Sequence, residues 1–173
     1  MKPNANLRPD DDSVERGAKA EDAFVISCWK KGYQAYKSSK KDDIYNHIDY
    51  WVKNKAGDLK GFDVKARKRT SRNSNRYSDD WIWVEFKNVI GKDGWIKGKA
   101  DFIAFEFENN FLIVKREELR ELCKKLIKDT KTRVTRAKDA KYLLYTRHGR
   151  KDLVTQIKLS DIKNNLKTWD WCK

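Results

Sequence analysis

The spacing of apolar positions along this chain changes several times, and each change marks a predicted element. Between Asp12 and about Lys31, the residues Val14, Ala18, Val25, Cys28 and Trp29 fall on one stripe, which predicts a helix with a single buried face. Asp12 with Glu15 three residues on makes a capping-box start, and Gly32 supplies the stop. The period then falls to two. "GYQAYKSS" (32–39), "NHIDYWV" (46–52) and "LKGFDVKAR" (59–67) alternate as three strands of a meander, separated by a basic loop at Lys40 and Lys41 and a turn at "KNKAGD".

Residues 67–80, "RKRTSRNSNRYSDD", lose all periodicity and are expected to form a polar loop, mobile or partner-bound. "WIWVEFKNVI" (81–90) is predicted as a strand, "GKDG" as a turn, and the segment from Trp95 as the return strand. "DFIAFEFENNFLIVK" (101–115) divides into two strands at Asn109-Asn110. Leu119, Leu122, Cys123, Leu126 and Ile127 then recur at helical spacing. "AKYLLYTRHGRKDLVTQIKLS" predicts a hairpin turning near His148-Gly149, and "SDIKNNL" a last helix capped by Ser160 or Asp161. A helix, three strands, a further strand region, a helix and closing strands give an α/β (α+β) class with a mixed β-sheet flanked by helices. A single domain is expected over 12–173, behind a flexible arm at 1–11 that holds Pro3 and Pro9.

Charge narrows the function. Forty Lys and Arg stand against 26 Asp and Glu, a net +14, which favours a polyanionic partner such as nucleic acid. A mean hydropathy of -0.93 would permit disorder, but 39% hydrophobic residues and seven Trp supply a core. No apolar run approaches the roughly 20 residues of a membrane span. Cys28, Cys123 and Cys172 are odd in number and far apart, which fits a reducing, cytoplasmic compartment better than a disulfide or zinc scaffold.

The chemistry centres on "GFDVKARKR" (61–69). On a strand, Phe62, Val64 and Ala66 face one way while Asp63, Lys65, Arg67 and Arg69 face the other. Hydrolysing a phosphodiester needs an activated water and a stabiliser for developing negative charge, and carboxylates holding Mg²⁺ or Mn²⁺ beside a lysine supply both. Asp63 and Lys65 put an acid and an ammonium side by side. Asp49 lies at comparable height on the preceding strand, and Glu21 falls on the stripe of the first helix, where an unpaired carboxylate is costly.

These residues, in "GAKAEDAFVISCWKKGYQAYKSS", "HIDYWV" and "GFDVKARK", resemble the core of the PD-(D/E)XK nuclease superfamily, closest in layout to archaeal Holliday-junction resolvases and small phage-encoded endonucleases. The resemblance covers about residues 17–69. It implies a restriction-endonuclease-like core in which Glu21 is the helix acid, Asp49 and Asp63 are metal ligands, the backbone carbonyl of Val64 is a further ligand, and Lys65 is the catalytic lysine. It also implies a homodimer if the substrate is a four-way junction, and, for the phage-encoded relatives, action in a host cell. Two departures stand out: Asp49 follows Ile48 where the family has proline, and 83–106 is longer than a minimal resolvase allows.

A rival pair occupies the longer segment. Glu85-Phe86-Lys87 repeats the acid-x-lysine pattern, and Glu85 and Lys87 are candidate accessory residues or, in the alternative, the catalytic pair. Asp63 and Lys65 are preferred because the 14-residue interval from Asp49 suits adjacent hairpin strands. Lys40, Lys41, Arg67, Lys68, Arg69, Arg72 and Arg76 are the expected contacts to a DNA backbone, without base readout. His47 and His148 are expected in turns, and Trp81, Trp83 and Trp95 in the core. The expectation is a metal-dependent DNA endonuclease selective for structure more than sequence. The alternative is a non-catalytic nucleic-acid-binding protein on a nuclease-like fold.

Overall fold

The computed structural model of the chain describes residues 11–70 and 74–173, so the arm expected at 1–11, apart from Asp11, and the candidate DNA contact Arg72 lie outside the described residues. Helix α1 (Asp11–Lys30) ends at Gly32, whose φ of 73° is the left-handed conformation that closes helices. Strands β1 (Gln34–Lys37), β2 (Tyr50–Lys53) and β3 (Leu59–Lys65) form the antiparallel meander. Strand β4 (Trp81–Lys87) leaves this sheet, and the chain returns to it in β5 (Phe102–Glu106), parallel to β3, and β6 (Asn110–Lys115). Helix α2 (Arg116–Leu126), short strands β7 (Arg133–Val134) and β8 (Leu144–Tyr145), strand β9 (Leu153–Lys158), helix α3 (Leu159–Asn165) and strand β10 (Thr168–Cys172) complete the order.

Two sheets result, one of six strands in the order β1-β2-β3-β5-β6-β10 and one of four in the order β4-β9-β8-β7. The period of two along β5 and β6 explains how the layers stack. Ala104, Phe111 and Ile113 point to α1, where they meet Ala20, Phe24, Cys28, Phe62, Val64 and Trp171. Ile103, Phe105, Leu112 and Val114 point the opposite way, into a core shared with Ile82 and Val84 of the second sheet and with α2 and α3. The class is mixed α+β, as the sequence pattern predicts. Among the described residues no helix is long and apolar enough to cross a membrane.

Several local expectations are corrected. The buried face of α1 is Ala20, Phe24, Ser27 and Cys28, whereas Val14 and Trp29 are 57% and 65% exposed. Phe24 decides this, because Phe62, Phe111 and Trp171 surround its ring at centroid distances of 5.4, 5.5 and 6.0 Å. Small Ala20 and Ser27 let the helix approach the sheet, and the Ser27 hydroxyl donates to the Cys172 carbonyl at 2.8 Å. The strand expected over 46–52 begins only at Tyr50, because a single π-helical turn (Asp42–Asn46) precedes it and His47 takes a left-handed φ of 53°.

The return strand expected from Trp95 is instead a 3-10 turn (Trp95–Lys97). Trp95 and Ile96 are consecutive and both buried, which an alternating strand with one solvated face cannot provide. Helix α3 starts at Leu159, without a cap from Ser160 or Asp161: the Leu159 amide donates to the Asp80 carbonyl, and Asp161 accepts the Tyr142 hydroxyl. Strand β10 was not expected; its hydrophobic signal, Trp169 and Trp171, is too short to stand out. The 67–80 loop folds back on itself where it is described, with Arg69 bridging Tyr77, Thr70 N–H donating to Arg76 and Ser78 N–H to Lys68.

Candidate functional site

Strand β3 is polar on one face because that face meets a cleft. Phe62 and Val64 seal the α1 side, so Asp63 and Lys65 must point toward the second sheet, beside Ile103 and Phe105 of β5. Asp63 is 1% exposed, and its Oδ1 lies 2.5 Å from the Lys65 ammonium. Its Oδ2 is buried with no hydrogen-bond partner among the described residues. Lys65 also sits over the ring of buried Trp95, at 5.2 Å from the centroid.

Asp49 joins them through the backbone. Its N–H donates to the Phe62 carbonyl at 2.8 Å, its carbonyl accepts the Ser38 N–H at 2.9 Å, and its Oδ2 accepts the Val64 N–H at 2.7 Å. The side chain is thereby locked against β3, one residue from Asp63. The preceding turn is packed closely: a Cβ on Gly98 would stand 2.8 Å from the Asn46 carbonyl and 2.8 Å from the His47 Cβ, so glycine is needed there.

Electrostatics follow from this crowding. Burial pushes the Asp63 carboxyl up, to about 8, against the pull of Lys65, and the Asp49 carboxylate adds to the rise. Burial alone would lower Lys65, but the attraction of Asp63, Asp49 and Glu85 outweighs it and holds the ammonium above its ordinary value. Glu85 is also raised by burial, although Lys65 and Arg147 oppose the shift.

The sequence-predicted residues separate into two groups. Asp49, Asp63, Val64 and Lys65 come together on β3 and its neighbour. Glu21, on α1, pairs with Lys37, whose ammonium stacks on Tyr50 and also feels the charge of Asp49. Glu85 approaches Lys65 from β4, but Lys87 is exposed. A bulge between Glu85 and Lys87 breaks the alternation that would have put both charges on one face.

The expected DNA contacts are scattered. Lys40, Lys41, Lys68 and Arg76 are exposed. Arg69 is drawn into the bridge with Tyr77. Arg67 is held by Asp79 in a two-point pair at 2.8 and 2.5 Å and stacks on Tyr77. Its charge is therefore largely compensated.

Arg147 is a basic residue that sequence reasoning missed. Its backbone N–H and its Nε both donate to Asp152, which is 1% exposed, and its side chain reaches the cleft that begins at Lys65. A lone Asp in the basic run "RHGRKD" was the available signal. Trp95 was also missed as a support for Lys65.

The donors suit a hard divalent cation. Two adjacent carboxylates, one with an orphaned buried oxygen, match the way Mg²⁺ is held by one or two carboxylates with water and phosphate completing its shell. Among the described residues no group of three or more His, Cys, Asp or Glu side chains forms a complete cage, so substrate and water would supply the remaining ligands. Comparison with models of known families, with curated proteins and with solved structures returns no match for this chain.

Proposed function

We propose that this protein is a metal-dependent DNA endonuclease, selective for DNA structure more than for sequence. The observation that carries this reading is the buried Asp63, with one oxygen lacking a partner, between the Asp49 carboxylate and the Lys65 ammonium. Burying an acid in this way costs stability, and a bound cation is the ligand that would recover it.

Asp49 and Asp63 would hold Mg²⁺ or Mn²⁺, which supplies a Lewis acid for a phosphate oxygen and makes water a better nucleophile. The protein's own part is positional and electrostatic. The Val64 amide fixes the Asp49 carboxylate, and Trp95 and Asp63 fix the Lys65 ammonium, so neither group must reorganise as charge grows on the phosphate. Lys65 offsets that charge in a site largely closed to water. Exposed Lys68 and half-buried Arg147, which line the cleft, would draw the backbone in.

The test is cleavage of supercoiled plasmid and of branched DNA in Mg²⁺ or Mn²⁺ against EDTA. Metal-dependent cutting that is lost in Asp63→Ala and in Lys65→Ala supports the reading. Equal behaviour of wild type and both variants overturns it. Salt-sensitive DNA binding without cutting in either metal would leave the non-catalytic nucleic-acid-binding protein in its place.

A further inference from the structure

A cleft of about 520 Å³ starts at Lys65 and is lined by residues of β3, β4, β5 and β8. That volume falls within the roughly 300–1,000 Å³ of pockets that enclose small organic groups. One wall is aromatic: Trp81 and Trp83 of β4 and Tyr145 of β8 are half-buried and leave ring surface facing the cleft. Trp83 and Tyr145 lie 6.4 Å apart at 47°, too far and too inclined to cover one another's faces. Trp81 is already occupied by Lys141, at 4.6 Å, which leaves Trp83 as the open ring. At its mouth, beside Lys65, stand Lys68 and Arg147, with the Glu85 carboxylate as a hydrogen-bonding group.

An aromatic wall, a polar floor and a cationic mouth complement a flat π-system carrying hydrogen-bonding edges and an attached phosphate. We propose that this cleft binds an unpaired nucleobase adjoining the phosphate held at Asp63 and Lys65. The substrate class is then DNA with a single-stranded or extruded nucleotide beside the cut, since a base within a continuous stack cannot lay its face against Trp83. Stacking on Trp83 would tolerate any base, because every base has a π-face. The inference rests on the nuclease reading for the position of the phosphate, while the aromatic cleft is an independent observation.

The full chain with Asp63→Asn, which blocks cutting, is titrated in EDTA at one fixed salt concentration with a short oligothymidine and with a blunt hairpin duplex, following tryptophan fluorescence. Adding Trp83→Ala should weaken oligothymidine binding about tenfold. Hairpin binding should change by less than about twofold, because backbone contacts dominate it. Trp83→Phe, which keeps a stacking ring and the packing, should restore most of the loss. Equal weakening of both ligands, no weakening of either, or a failure of phenylalanine to rescue overturns the inference. The two readings fail separately. If wild type cuts DNA with metal but Trp83→Ala still binds oligothymidine normally, the base site falls alone. If binding depends on Trp83 but no metal supports cutting, the nuclease reading falls alone.

Discussion

Asp63-Val64-Lys65 and Glu85-Phe86-Lys87 spell the same acid-x-lysine pattern on two strands, and the fold treats them differently. On β3 the alternation is unbroken, Val64 is buried against α1, and acid and ammonium meet at 2.5 Å. On β4 a bulge follows Glu85, so Glu85 turns to the cleft and Lys87 to solvent. The tripeptide therefore does not determine a site. What matters is a neighbouring strand that delivers Asp49 to β3, whereas the acid nearest Glu85, Asp152, is held by Arg147, and β9 places Val154 opposite Glu85.

Cleavage would separate the two pairs most widely. Lys65→Ala and Asp63→Asn should each lower metal-dependent nicking by about 10²–10⁴-fold, the scale of losing a charge stabiliser or a metal ligand. Lys87→Ala should stay within about twofold, being exposed and remote from the reacting groups. Glu85→Gln should fall between, because Glu85 shares the field of Lys65. A nicking assay in which Lys87→Ala is as damaged as Lys65→Ala would reverse the assignment of the pairs.

Stability against pH gives the next contrast. Asp63 binds its proton more tightly in the folded protein, from an ordinary 3.8 to about 8. It therefore stabilises the fold at low pH and loses that contribution as pH rises toward about 8. In EDTA, the Tm of wild type should fall between about pH 5 and about pH 8, whereas Asp63→Asn should show a flatter profile. Glu85→Gln should flatten it less, since Lys65 and Arg147 already oppose the shift of Glu85. Mn²⁺ should raise the wild-type Tm most at the alkaline end and leave Asp63→Asn unmoved. Parallel profiles for all three proteins would refute this account of the buried acid.

The bulge itself can be attacked. A Cβ on Gly94 would lie 2.4 Å from the Glu85 carbonyl, which is backbone and cannot swing aside. Gly94→Ala should therefore cost about 1–3 kcal/mol in denaturant unfolding, as overpacking does. It should also loosen Trp95, the ring beneath Lys65, so that cleavage falls with stability. An unfolding midpoint equal to wild type would show that β4 and the Trp95 turn are not locked together.

Much of this was legible in the sequence. Period-two alternation in "GFDVKARK" located β3 and its polar face, and the Gly32 stop and the Asn109-Asn110 turn marked real boundaries. The helix face was misread because Val14 and Trp29 look apolar in sequence, while burial follows Phe24 and its aromatic partners, which come from β3, β6 and β10. Glu21, a candidate through that stripe and the family resemblance, pairs with Lys37, a partner that no local pattern in the sequence indicates. The bulge and the Trp95 turn depend on contacts distant in sequence, and the Arg147 to Asp152 pair, five residues apart, follows no periodic pattern.

The smallest effect concerns how β3 continues past its acid-x-lysine pair. Arg67 was expected to track phosphates, but Asp79 grips it at two points and Tyr77 covers its guanidinium. A bidentate partner leaves few donors for DNA. Asp79→Asn removes one negative charge and leaves Arg67 with only the longer 3.8 Å contact to Glu108, so DNA affinity should rise a few-fold at low salt. The slope of log K against log salt should steepen by about one phosphate contact. Lys87→Ala on β4, which has no such latch, should flatten the slope by no more than about one and leave any preference among DNA structures unaltered. If Asp79→Asn changes neither affinity nor slope, Arg67 is a structural clamp for the 67–80 loop and the phosphate path begins at Lys68.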